Sequence, residues 1–329
     1  MQQGIAPKAG INLGGWLSQY KQYNVAHFDS FIQEDDLKRI DSWGMDHVRL
    51  PVDYPVLEED ANPGVYLESG FAYIDKCLSW CQKLGLNLVL DIHKAPGYVF
   101  DHWKKTKLFE RADLSKRYLA LWEALARRYR GAGGLVFELL NEINLPDPAP
   151  WNRLIRQTIT RIHQVDADRL VMIGGNYHNA ADQLETLVYT FHFYNPMVVT
   201  HQKAYWVKPL ENLQDEVNYP GIYPNIPDFG PRLVGEKMDS AMLRTYLQPA
   251  LAFTQRTGKP LYCGEFGVID RAPIQARLNW TRDSIAILQE YGIGWALWTY
   301  KAMDFGLVDA EGRVTSQELI DLVSQQKRQ

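Results

Sequence analysis

Short apolar runs alternate along the chain with longer stretches in which apolar residues recur every three or four positions. The runs lie at 10–13, 47–50, 86–92, 135–140, 170–173, 188–193, 261–264 and 293–298. They are continuously apolar rather than alternating, as strands covered on both faces should be. The stretches between them predict helices over 34–43, 70–84, 114–129, 151–165, 239–257, 274–291 and 317–324. In the third, Leu114, Tyr118, Leu121, Trp122, Leu125 and Tyr129 make one apolar face, the stripe that a helix lays on a sheet. The fifth strand is followed by the weakest helical stretch, 180–186.

About eight strand–helix repeats close naturally into a (β/α)8 barrel, for which roughly 250 residues is typical before insertions. A doubly wound open sheet is the competitor, but it would place a glycine-rich loop after an early strand. The GAGG at 131–134 precedes a strand and reads as a turn. The expectation is a single barrel domain with one long loop after strand six, from Asn195 to Met238. That loop shows no convincing core element, yet it carries Trp206, several tyrosines and many prolines. An aromatic loop at the mouth of a barrel is where a substrate wall would stand.

With 329 residues, 46% of them hydrophobic, the chain has enough apolar side chains for a large core. Its 39 acidic and 35 basic residues leave a net charge of -4, which argues against nucleic acid or an anionic membrane as partner. Three cysteines are too few for a disulfide framework and fit a reducing compartment. No signal peptide or apolar span is visible, so the expected location is cytoplasmic, or secreted if a leader has been removed. The 10 Trp and 18 Tyr hint at sugar binding, since amphipathic rings cover the C–H faces of a sugar.

Candidate chemistry gathers at the C-terminal ends of the predicted strands, where active sites of this fold lie. Strand two ends in Arg49, strand three in Asp91 and His93, and strand four in Asn141 and Glu142. Strand six ends in His192 and Tyr194, strand seven in Glu265, and strand eight in Trp298. A carboxylate at the dry end of a strand is costly unless paired, protonated or used. Strands four and seven are expected to face each other, bringing Glu142 and Glu265 within a few ångströms. Glycoside hydrolysis needs such a pair: roughly 5–5.5 Å apart for retention, roughly 6.5–9.5 Å for inversion. Arg49 and the Tyr194 hydroxyl would hold Glu265 ionised, whereas Glu142 would need a raised pKa to act as the acid. Asn141 would bond a sugar 2-hydroxyl, and Trp298 would floor the subsite.

These residues resemble glycoside hydrolase family 5, the cellulase family. The matching segments are GINLGGWL at 10–17, HVRLP at 47–51, LDIH at 90–93, LLNE at 139–142, HFY at 192–194, GEFG at 264–267 and WALW at 295–298. The resemblance implies a retaining mechanism with Glu142 as acid/base and Glu265 as nucleophile. It also implies sugar- or glutamate-contacting roles for Arg49, His93, His192, Tyr194 and Trp298. The expected partner is a β-linked oligo- or polysaccharide, with β-glucans or β-gluco-oligosaccharides favoured, and no cofactor is expected. Exo-acting β-1,3-glucanase, β-glucosidase and β-mannanase or mannosidase activities stay open, as does oligomeric state. HKAPG at 93–97 is similar to the exo-β-1,3-glucanase branch, and THQKAYW at 200–206 to bacterial endoglucanases.

Trp16, His102, Trp103, Tyr205 and Trp206 are candidate subsite rings, and Lys301 and Asp304 either line the pocket or cap the last helix. Trp43, Trp80 and Trp122 sit on helices and read as core. A metal-dependent hydrolase is the first rival, with His93, His192 and His201 as ligands, although neither a paired HxH nor HExxH occurs. A non-catalytic sugar-binding barrel is the second, but its usual sign, a missing carboxylate, is absent. The GxSxG and GxxxxGK[ST] motifs are also absent.

Overall fold

Each apolar run becomes a strand because its side chains are covered twice, by the barrel interior and by the helical layer. In the computed structural model, which describes residues 7–100, 106–174, 187–226 and 231–324, these are β1 (Ala9–Asn12), β2 (His47–Asp53), β3 (Asn87–Lys94) and β4 (Leu135–Glu138). The second half supplies β5 (Val171–Gly174), β6 (Leu187–Phe193), β7 (Leu261–Phe266) and β8 (Gly294–Leu297). All pair in parallel in chain order, and β8 closes on β1. The expected (β/α)8 barrel is therefore present. β4 and β7 stand three places apart in the ring rather than directly opposite. The expectation of facing strands is corrected to that extent.

The outer layer holds helices Glu34–Ser42, Glu68–Leu84, Ala112–Arg128, Ala149–Val165, Ser240–Thr257, Ile274–Glu290 and Gln317–Ser324. The helix expected at 180–186 lies outside the described residues. The GAGG turn behaves as read: Gly131 and Gly134 take φ of 71° and 72°, which costs glycine nothing sterically. No helix among the described residues is long and apolar enough to cross a membrane. Cys77, Cys81 and Cys263 are buried and unbridged.

The barrel interior is filled in layers. Val89, Val136, Met172, Val188, Tyr262 and Ala296 form a small apolar cluster of their own, one residue from each of β3 to β8. Below it, His47 bonds the Tyr262 hydroxyl at 2.7 Å and the Asp46 carboxylate at 2.5 Å. Gly10 admits the His47 ring, which a Cβ there would meet at 2.3 Å. Above it the interior turns polar, and the site begins.

The long connection after β6 is not the coreless loop the sequence suggested. It contains the short helices Met197–Thr200 and Lys208–Glu211 and the two-stranded ribbon Gly221–Ile222 with Lys237–Met238. Val198, Val199, Leu210, Tyr219 and Tyr223 join the main core. Gln202 ties the segment together, its amide donating to the carbonyls of Val199 and Val217 and accepting from Val217 N–H. These elements are too short for a hydrophobic period to show.

Candidate active site

The polar layer is built around one guanidinium. Arg49 on β2 is fully buried, and burial alone would drive its charge out. Asp91, Glu138 and Glu265 outweigh that and hold it charged. Its Nε and Nη2 fork onto Glu138 at 2.6 and 3.1 Å. Nη2 also reaches Asp91 at 2.9 Å and Asn141 Oδ1 at 3.0 Å. Nη1 reaches Asn12 Oδ1 at 3.0 Å and Glu265 Oε1 at 2.8 Å. Asn12 in turn donates to Gly264 O at 2.9 Å, tying β1 to β7.

Glu265 owes its direction to a β-bulge. Strict alternation after inward-facing Tyr262 would turn Glu265 towards the helices. The β6–β7 register instead slips, so that Phe191 pairs with Cys263 and His192 with Glu265. A bulge re-aims a side chain in this way. The second Glu265 oxygen, Oε2, accepts from the Tyr194 hydroxyl at 3.0 Å.

Glu142 sits just beyond β4 with φ of 44°, a region costly for a residue with a Cβ. The Tyr98 hydroxyl holds this turn by donating to the Glu142 carbonyl at 2.6 Å. The carboxylate projects into the cleft and bonds His192 Nδ1 at 2.8 Å, and the same nitrogen lies 3.5 Å from Glu265 Oε2. One donor atom from each of Glu142, His192 and Glu265 lies within 4.8 Å of the others. An oxygen of each carboxyl thus lies within 4.8 Å of the other, well short of the roughly 6.5–9.5 Å of an inverting pair and on the retaining side.

The electrostatics of Glu142 differ from expectation. Burial works to raise its pKa, but the His192 hydrogen bond and charge prevail and hold it below the usual carboxylate range. Burial works against the His192 charge too, yet Glu265 and Glu142 lift that imidazole above its ordinary value. The two shifts run together, biasing the imidazole towards its charged form and Glu142 towards its anion. The sequence could show neither the pair nor its sign.

His93 on β3 is neutral, pushed down to about 4 by burial. Its Nδ1 bonds Asp91 at 2.6 Å, and the Gln19 amide donates to Nε2 at 3.1 Å. Burial lifts Asp91 to about 7 against the pull of Arg49. The Trp298 ring stacks on His93, with centroids 6.1 Å apart and planes 8° from parallel, and Phe100 meets His93 edge-on. Arg49, His93, Asn141, Glu142, His192, Tyr194, Glu265 and Trp298 thus converge as read from the sequence.

Other candidates do not join them. Trp16 is 1% exposed, donates to Phe28 O and stacks on Trp80, so it is core rather than subsite. Its ring packs on Tyr73 and Trp80 of the Glu68–Leu84 helix, in the helical layer, and so misses the cleft. Lys301 donates to Phe31 O, and Asp304 pairs with Arg271 at 2.8 Å. Neither caps the last helix, where Ser316 accepts from Leu319 N–H. His102 and Trp103 lie outside the described residues. Tyr205 and Trp206 are 68% and 44% exposed. Trp206 packs against Phe305, which touches Tyr194, and this places it at the cleft mouth. Trp43 and Trp122 are core as expected.

Among the described residues, Glu142, His192 and Glu265 lie close enough together that they could hold a metal ion. His93 is committed to Asp91 and Gln19, and His201 to Thr200, so the three-histidine set of the metal rival does not assemble. Sequence reading missed Glu138, Asn12 and Gln19. Glu138 had a signal: it is a charge inside a run buried on both faces, and such a charge must be paired. Gln19, on a loop at φ 56°, had none.

A parallel barrel with two acidic side chains this close at its C-terminal mouth defines a barrel glycosidase. Residues 8–304 match the family described as Cellulase (glycosyl hydrolase family 5), and the chain belongs to that family. It is 44% identical over 341 residues to Endoglucanase C of Acetivibrio thermocellus, covering 98% of this chain and 99% of that one. It is 36% identical over 299 residues to Cellodextrinase A of Ruminococcus flavefaciens, covering 86% and 82%. A structure of Thermotoga maritima Cel5A in complex with cellobiose shares the fold, with a TM-score of 0.79 at 24% identity and coverage of 97% and 98%.

Proposed function

We propose that this glycosidase cleaves β-1,4-linked glucans or gluco-oligosaccharides by double displacement, as an endoglucanase. The observation that carries the mechanism is that a carboxylate oxygen of Glu142 lies within 4.8 Å of one of Glu265, too close for an inverting pair. Glu265, with Arg49 on one oxygen and the Tyr194 hydroxyl on the other, is the nucleophile. It attacks the anomeric carbon while Glu142 protonates the departing oxygen, and a glycosyl–enzyme ester forms. Water then attacks that ester as Glu142 takes the proton back. His192 Nδ1 lies 2.8 Å from the Glu142 carboxylate, within reach to pass it a proton.

Asn141 is oriented by Arg49 through its Oδ1, which leaves its buried Nδ2 without a protein partner. That amide is poised to donate to the sugar 2-hydroxyl, a contact that strengthens in the transition state. Trp298 floors the glycone subsite, and Tyr205 and Trp206 offer rings further along the cleft. The β-1,4-glucan assignment draws on the endoglucanase and cellodextrinase names of the full-length relatives.

Two variants test the roles. Glu265→Gln should abolish turnover of every substrate. Glu142→Ala should lose natural substrate far more than an aryl glycoside whose leaving group needs no proton. Equal loss on both would refute the assignment of Glu142. Product sizes on β-1,4-glucan, β-1,3-glucan and β-mannan decide linkage and endo action; release of single glucose units alone would overturn the endoglucanase reading.

A further inference from the structure

We infer that Glu138 is a positioning residue for the reaction, acting through Arg49 on the nucleophile and on Asn141 together. This rests on the roles proposed above for Glu265 and Asn141. Glu138 is 1% exposed, on the strand that leads to Glu142. It touches no reacting atom in that assignment. It takes Nε and Nη2 of Arg49 at once, and this two-point grip fixes both the plane and the rotation of the guanidinium. One point of contact would leave the plane free to swing.

The remaining donors are then aimed at fixed places. Nη1 points at Glu265 Oε1, and Nη2 points at Asn141 Oδ1. The second contact decides which end of the Asn141 amide looks into the cleft. With Oδ1 engaged, Nδ2 is the end left over, and it has no protein partner. A single buried carboxylate thus orients both the attacking group and the 2-hydroxyl donor. Asp91 on β3 and Asn12 on β1 touch the same guanidinium, but each through one nitrogen only. Neither alone sets its plane.

The test compares Glu138→Asp with Glu138→Gln. Aspartate keeps the charge but is too short to grip two nitrogens from the same backbone position. Glutamine keeps the length but turns a donor towards Arg49. Positioning predicts that both fold, by circular dichroism and melting temperature, and that both lose about 10- to 100-fold in kcat per titrated active site. KM should change much less. Both should also discriminate less than the wild type between aryl β-glucoside and its 2-deoxy analogue, because the Asn141 donor is no longer held.

Wild-type kcat in Glu138→Asp would overturn the proposal, since charge alone would then suffice. So would a loss fully explained by fewer titrated sites, which would mean a structural role. If the wild type itself ignores the 2-hydroxyl, the reading of Asn141 fails, and the kcat comparison still decides Glu138.

Discussion

At the scale of single residues, the least expected result is the resting state of the acid/base. Glu142 and His192 are placed to share a proton, and against the opposing effect of burial Glu265 and Glu142 together favour the charged imidazole. A shared proton makes the basic limb of the pH–rate profile a property of the pair. That limb lies at or above the pKa Glu142 would have beside a neutral side chain. His192→Ala removes the partner, so the basic limb of kcat/KM should move to lower pH and narrow the bell. A basic limb that stays in place would show that His192 does not hold the proton. The types of residue needed for this chemistry were readable: a carboxylate, an asparagine and a histidine at strand ends. The direction of the proton was not, because it depends on two carboxylates from distant parts of the chain meeting one ring.

At the scale of elements, strand and helix placement followed from periodicity, and the departures have local causes. The helix read as starting at residue 70 begins at Glu68. Gly70 is in its first turn, where the chain passes so close to the Tyr54–Val56 turn that a Cβ would lie 1.8 Å from the Val56 carbonyl oxygen. Backbone cannot yield as a side-chain end can. Gly70→Ala should therefore destabilise the fold by about 1–3 kcal/mol in denaturant unfolding, through overpacking. No loss would mean that helix and turn separate freely. The bulge in β7 is the second case. Alternation alone would have aimed Glu265 outward, and only the slipped pairing with β6 turns it inward.

At the scale of the molecule, the connection after β6 matters most. It buries His201 beside Tyr194 and Phe305, and burial holds that imidazole down at about 4 against an ordinary value of 6.5. The sign follows directly. Above about 6.5 neither state is charged, and the packing contributes fully. Between about 6.5 and 4 the unfolded chain takes up a proton that the folded one refuses, so stability falls as pH falls. His201→Gln should flatten the pH dependence of unfolding free energy in that window by about one proton, roughly 1.4 kcal/mol per pH unit. An unchanged slope would count against a neutral buried His201. Burial of Asp91, lifted to about 7, works in the opposite direction, and it cancels when variant and wild type are compared.

The sequence by itself determined the barrel, because a doubly covered strand and a one-faced helix carry periods that survive in one dimension. It also determined which residues reach the C-terminal mouth, because a strand end is a local position. Tertiary structure alone decided where those side chains point and what they touch. The slip that turns Glu265 inward, the grip of Glu138 on Arg49, the ion pair of Glu142 with His192 and the burial of Trp16 all join strands or loops far apart in the chain. Pairing across a closed ring sets such contacts, and no period along a single strand encodes them.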